Sequence, residues 1–312
     1  MIQTAQTFLQ LLKAIKTQKA FCRAYYEQVL KETGIDFQNV LEKSDSRKIQ
    51  NYTLQVPLAI GETSALLRGT PLNNQERELL TLLAMGSALM DDISDRSESE
   101  NNTQKVDLLH HLQNKAKKVR TWNKAFDQQF DITFKHHNYS AIQQSKIPLS
   151  LAQLREITFN KCGHAFLLSQ ALLSHNIGQK EKDFMFQFGA LAQIGDDILD
   201  IYDDLSARHQ TLITMQSFSD SRTLLETETS VLLEMLYDLD YPKNQKNATA
   251  LHCLSFIGVF YLAHEQINSH LTNQDNLNDI LSHDRSKYIV DMSSFKNQRK
   301  LFKWLSSHKD DF

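Results

Sequence analysis

Gln193-Ile194-Gly195-Asp196-Asp197-Ile198-Leu199-Asp200-Ile201-Tyr202-Asp203-Asp204 sets an acidic cluster inside an otherwise apolar run, Phe184 to Leu205. Residues three and four apart share one face of an α-helix. Gln193, Asp196, Asp197 and Asp200 therefore form one stripe, with Phe186 and Gly189 on the turns above. Burying several carboxylates without partners is expensive, so a cation is expected against that stripe. Oxygen-rich clusters of this kind suit hard divalent ions such as Mg²⁺.

A second copy of the spacing, Asp91-Asp92-Ile93-Ser94-Asp95, ends the apolar run Leu79 to Met90. The chain has 23 Asp in 312 residues. On random placement that composition yields roughly 0.1 D-D-x-x-D matches, so two matches on apolar helices call for a reason.

Bulk composition bounds the rest. Apolar residues make up 41% and charged residues 23%, a globular balance. Gly 9 and Pro 4 are few for this length. A strand-rich fold needs many tight turns built from such residues, so long helices with short connections are expected. A net charge of -3 implies no general attraction to nucleic acid. Cys22, Cys162 and Cys253 are far apart, which excludes a zinc knuckle or disulfide framework and suits a reducing compartment. Met1 to Lys19 has no apolar core of signal-peptide length. Leu251 to Ala263 is too short to span a bilayer. The expectation is a soluble, cytoplasmic protein with no transmembrane segment.

Helical periodicity marks Thr4 to Glu32, a short Asp36 to Lys48, and Asn51 to Arg68 with Pro57 near its start or kinking it. Gly69-Thr70-Pro71 is a break, and Asn74 is expected to cap the helix that carries the first Asp motif. A polar helix over Thr103 to Asn138 follows a loop at Ser97 to Asn102. His110-His111 and His136-His137 fall in that helix; neighbours point about 100° apart on a helix, so neither pair chelates alone. Further helices are expected over Leu149 to Ser174, Lys180 to Leu205, Ser219 or Asp220 to Leu239, Asn244 to Leu271, Asp275 to Leu281 and Ser286 to Ser307. With no repeat, low-complexity tract or linker, residues 1–312 read as a single all-α domain, a bundle of about ten or more helices.

The two Asp motifs resemble those of the class I isoprenoid (terpenoid) synthase superfamily. Lys161-Cys162-Gly163 stands where trans-prenyltransferases have Lys-Thr-Gly, and Ala192-Gln193-Ile194-Gly195-Asp196-Asp197-Ile198-Leu199-Asp200 is similar to their Phe-Gln-x-x-Asp-Asp-x-x-Asp. The resemblance implies a helical bundle around a central cavity. There Asp91, Asp92, Asp95, Asp196, Asp197 and Asp200 hold Mg²⁺, usually three ions, on the diphosphate of a prenyl substrate. It implies Lys161, Gln193 and Arg208 at the catalytic centre. Lys161, Arg96 and Arg208 would lie on the diphosphate, with Phe186 and Ala88 along the prenyl chain. Homodimers are common in the superfamily. Metals with Lys161 neutralise the departing diphosphate, and the allylic cation left behind needs an apolar, aromatic, water-poor chamber.

The chain departs from the elongating branch. Arg96 is followed by Ser97-Glu98-Ser99-Glu100 rather than a second arginine and a glycine. Arg47-Lys48 stands alone where those enzymes have a longer basic segment, and Leu205-Ser206-Ala207-Arg208-His209 replaces a Gly-Lys. Several of those cations hold a second diphosphate, which binds poorly without them. The Asn-x-x-x-Ser/Thr-x-x-x-Glu motif of common cyclases is absent, and Lys287-Tyr288 only echoes a late basic-aromatic pair of terpene synthases. The implied activity is a Mg²⁺-dependent terpene synthase, a lyase acting on one linear prenyl diphosphate. The alternatives are a prenyltransferase, either chain-elongating or of the squalene/phytoene synthase type, and a catalytically silent regulatory subunit. A di-iron bundle lacks its Glu-x-x-His motifs.

Overall fold

The computed structural model describes residues 2–33, 52–95, 102–119, 124–271 and 277–307. Among these the regular structure is all-α, with twelve α-helices, short π and 3-10 turns, and no strand. The chain divides into two compact units, one of Met1–Phe8, Gln128–Leu168 and Ile177–Phe312, the other of Leu9–Asp127 and Ser169–Asn176.

The helix Ile2–Thr33, whose residues from Leu9 onward belong to the second unit, is followed, after residues outside the description, by a helical stretch from 52 to 68. Its middle, Pro57–Glu62, is a π-helix. Pro57 has no N–H to donate and its ring crowds the preceding turn, so the ladder widens there. Gly69 ends the stretch in the left-handed region (φ 69), where a Cβ is costly. The next helix, Asn74–Asp95, packs on Asn102–Val119. It is capped by Asn73 rather than the expected Asn74: Asn73 Oδ1 accepts from Glu76 N at 2.9 Å, and Glu76 Oε2 accepts from Asn73 N at 3.0 Å. That is a reciprocal capping box.

Glu76 has a second task. Its buried carboxylate takes a bidentate pair from Arg68 at 2.8 and 2.7 Å and accepts from Ser174 Oγ at 2.7 Å. Burial alone would raise its pKa, but these donors outweigh it and hold the carboxyl at about 2. Beneath it Leu72, Leu80, Ala65 and Leu173 form an apolar cluster.

In the first unit the helix Gln179–Leu199 packs against Phe218–Tyr237 and Lys243–Asn268. The sequence spacing explains the contact. Phe184, Phe188, Leu191, Ile194 and Ile198 recur on one face and are fully buried, as are Leu225, Leu232 and Leu236 on one neighbour and Ala250, Cys253 and Ile257 on the other. Burying a side chain of this size contributes about 1.5–3 kcal/mol. Phe295–Ser307 closes on Lys243–Asn268, with Trp304 beside Tyr261 at 4.9 Å.

Several element bounds differ from expectation. The pattern over Thr103 to Asn138 is two helices, Asn102–Val119 and Lys124–Ser140. The run Lys180 to Leu205 breaks at Asp200 (φ -97, ψ 9) into Gln179–Leu199 and Ile201–Ala207. Ser217, not Ser219 or Asp220, flanks the Phe218–Tyr237 helix. The closing segment is a 3-10 turn, Arg285–Tyr288, and only later a helix, because Asp284 and Asp291 cap local turns instead. The expected helix over Asp36 to Lys48 and most of the loop at Ser97 to Asn102 lie outside the described residues.

Candidate functional site

The acid stripe is built where two helices come unusually close. A Cβ on Gly189 would stand 2.5 Å from Cys162 O and 2.9 Å from Gly163 Cα. A Cβ on Gly163 would stand 2.5 Å from the Phe186 ring. Leu151–Gln170 and Gln179–Leu199 therefore touch backbone to backbone at Gly189, with the Phe186 ring close against Gly163. This contact brings Lys161 and Cys162 to the face that carries Gln193 and the aspartates.

A chain of polar contacts crosses the junction. The Cys162 thiol donates to Gln193 Oε1 at 2.9 Å. Gln193 Nε2 donates to Asp197 Oδ1 at 2.8 Å and, more loosely, to Asp196 Oδ2 at 3.3 Å. Gln193 and Asp197 are buried. The second Asp197 oxygen, Oδ2, is buried with no hydrogen-bond partner. Burial pushes the Asp197 carboxyl well above its usual range; the Gln193 hydrogen bond opposes this, Asp196 and Asp204 reinforce it, and Lys161 opposes it.

Two more carboxyls share the field. Asp200 is open to solvent as a residue, but protein crowds its carboxyl. That crowding, with repulsion from Asp196 and Asp203, raises it to about 7 against the opposing charges of Arg285 and Lys161. Asp204 also rises to about 7, through burial and the charges of Asp200 and Asp196. Its Oδ1 lies 3.5 Å from His209 Nδ1. Asp203 accepts from Arg285 Nε at 2.8 and 2.9 Å.

Phe186, half-buried, meets His164 edge-on at 5.2 Å, and His164 stacks on His136 at 4.7 Å. Burial, helped by His136, lowers His164 to about 4. Gln129 Nε2 lies 3.2 Å from His164 Nδ1, so the neutral ring has a donor facing it. Arg208 ends the short helix Ile201–Ala207 at φ 59, ψ 34, a left-handed position more often given to glycine, and its side chain is exposed.

Of the residues singled out in the sequence, Lys161, Gln193, Asp196, Asp197 and Asp200 come together here, with Phe186 on the neighbouring turn. Arg208 lies four residues beyond Asp204 on the chain. Ala88 is buried in the other unit. Asp91, Asp92 and Asp95 occupy the last helical turn of Asn74–Asp95, but their side chains lie outside the description, as does all of Arg96. Three participants were not assigned from sequence. Asp204, four after Asp200, was legible from helical spacing alone. Cys162 stands inside the Lys161-Cys162-Gly163 motif, whose wording carries no sign of its contact with Gln193. Arg285 stands 82 residues from Asp203, and no local pattern signals that pairing.

An implied divalent cation suits these residues. The donors are hard carboxylate oxygens, one of them is buried with no partner, and Asp200 and Asp204 are raised by burial and by the charge of neighbouring aspartates, Asp196 among them, which a cation would offset. Among the described residues no three His, Cys, Asp or Glu side chains already converge as a ligand group. No family model, no curated protein and no solved structure matches the chain.

Proposed function

We propose that the chain is a Mg²⁺-dependent terpene synthase that ionises one linear prenyl diphosphate and releases pyrophosphate. The observation that carries this reading is the orphaned Oδ2 of buried Asp197 within a stripe that also holds Asp196, Asp200 and Asp204. A carboxylate in that position is stable only when a proton or a cation meets it. Magnesium, when bound, supplies positive charge for the diphosphate as the C–O bond breaks. Asp197, Asp196, Asp200 and Asp204 would hold the ion, and Gln193 would orient Asp197. The Lys161 ammonium, already within the field of these carboxylates, binds the diphosphate directly. The Phe186 face, beside Gly163, shields the allylic cation from water. The resemblance to the isoprenoid synthases implies that Asp91, Asp92 and Asp95 add a second set of carboxylates and that Arg96 and Arg208 bind the diphosphate.

The test is incubation with C10, C15, C20 and C25 prenyl diphosphates, singly and with isopentenyl diphosphate, with Mg²⁺. Pyrophosphate release from a single substrate is expected. Turnover only with the second diphosphate reassigns the chain as a prenyltransferase. No release from any mixture leaves the silent-subunit reading in its place. Asp197→Asn keeps the acceptor for Gln193 and removes the charge. Its expected signature is a metal-free unfolding temperature at or above wild type and loss of the rise that Mg²⁺ with inorganic pyrophosphate gives the wild type. An unchanged rise would overturn the assignment of Asp197.

A further inference from the structure

We propose that Cys162 is a positioning residue whose thiol locks the Gln193 amide and, through it, the Asp196–Asp197 carboxylates in the arrangement a divalent cation needs. The inference rests on the acid stripe being a cation site and adds to it a part played by a residue on another helix. A glutamine amide has one accepting end and one donating end. Here the accepting Oε1 meets the Cys162 thiol at 2.9 Å, and the donating Nε2 meets Asp197 at 2.8 Å and Asp196 at 3.3 Å. Both ends are satisfied in only one orientation. With Asp196 and Asp197 ionised, as a bound cation requires, a flipped amide sets its oxygen against two acceptor-only carboxylates.

The lock decides which Asp197 oxygen stays open. Gln193 takes Oδ1, and Oδ2 is left buried and unpartnered. That oxygen independently points to a ligand, since an isolated buried acceptor is costly. Without the thiol, Oε1 loses its anchor, the long side chain regains rotamer freedom, and Asp197 turns to bury its charge elsewhere. Cys162 stands in reach of Gln193 only because Gly189 admits the Cys162 carbonyl at a distance no Cβ tolerates. The geometry thus links the close helix crossing to the state of the carboxylates through one thiol. Groups that hold metal ligands in place typically change metal affinity about 10–100-fold when removed.

Mn²⁺ binding, read by electron paramagnetic resonance on the full chain with and without inorganic pyrophosphate, tests this without turnover. Cys162→Ala is expected to weaken Mn²⁺ about tenfold while the metal-free unfolding temperature stays close to wild type. Cys162→Ser, which restores a donor, is expected to recover most of the affinity. That rescue separates positioning from packing, because serine fills the space less well than cysteine yet binds better than alanine. Equal affinity in wild type and Cys162→Ala overturns the positioning role alone, as does Ser no better than Ala. If Cys162→Ala does not fold, Cys162→Ser against Cys162→Val decides on the same criterion. Absence of Mn²⁺ binding by the wild type in both conditions overturns the cation site and this proposal with it.

Discussion

Gly189→Ala is the most informative single change, because it forces apart the two helices that build the acid stripe. The added Cβ would lie 2.5 Å from Cys162 O and 2.9 Å from Gly163 Cα. Comfortable contact is about 3.5 Å, so the helices must separate by roughly 1 Å. Neither obstacle is a flexible side chain that can swing away; both are backbone. Overpacking of this kind costs about 1–3 kcal/mol, offset by up to about 1 kcal/mol of helix propensity gained over glycine. The net expectation is destabilisation by about 1–2 kcal/mol, or roughly 1.5–3 °C in unfolding temperature for a chain of 312 residues. The same shift carries Cys162 and Lys161 away from Gln193, so Mn²⁺ affinity should fall along with stability. Gly86→Ala is the matched control. Among the described residues its Cβ would meet only Leu109 Cδ1, at 3.5 Å, so the helix gains propensity without a clash and should be stabilised by about 0.5–1 kcal/mol. Calorimetry or urea unfolding reads both variants. A Gly189→Ala protein at least as stable as wild type, beside a Gly86→Ala protein that behaves as expected, would refute the backbone-to-backbone crossing.

Two further outcomes follow from buried titratable groups. Glu76→Gln leaves Arg68 without its carboxylate, and breaking one partner of a buried pair costs roughly 3–5 kcal/mol, read as a lower urea midpoint. The wild-type folded pKa, about 2, lies below the unfolded value of about 4.3. Its stabilisation is therefore full above that unfolded value and lost as pH falls toward 2; the Gln variant should lack this acid-sensitive part. His164 has the same sign for a different reason. Its folded pKa of about 4 lies below the free value of about 6.5, so the unfolded chain binds the proton first. Stability should fall between about pH 6.5 and 4, by about 1–2 kcal/mol after allowance for solvent screening, and His164→Gln should flatten that slope. A profile identical in wild type and His164→Gln sinks this account of the His136–His164 stack.

Helix was legible in Gln179–Leu199 because its apolar residues recur at helical spacing whatever they pack against. Ends set by tertiary partners were less legible. Asn73 rather than Asn74 caps its helix because Glu76, held by Arg68 and Ser174, returns the hydrogen bond to Asn73. The break at Asp200 falls within an unbroken helical pattern, and no Gly or Pro announces it.

The sequence by itself determined the all-α class and the alignment of Gln193, Asp196, Asp197 and Asp200 along one side of a rod, since both follow from a period of 3.6 residues. Only the tertiary structure decided which oxygen of that set is left without a partner, that Cys162 reaches Gln193 from another helix, and that Arg285 pairs with Asp203. Those facts depend on how near two segments approach, and for Cys162 and Gln193 nearness is set by the absence of a Cβ at Gly163 and Gly189. A lone glycine in a helical pattern reads as a small loss of propensity until its neighbour across the gap is known.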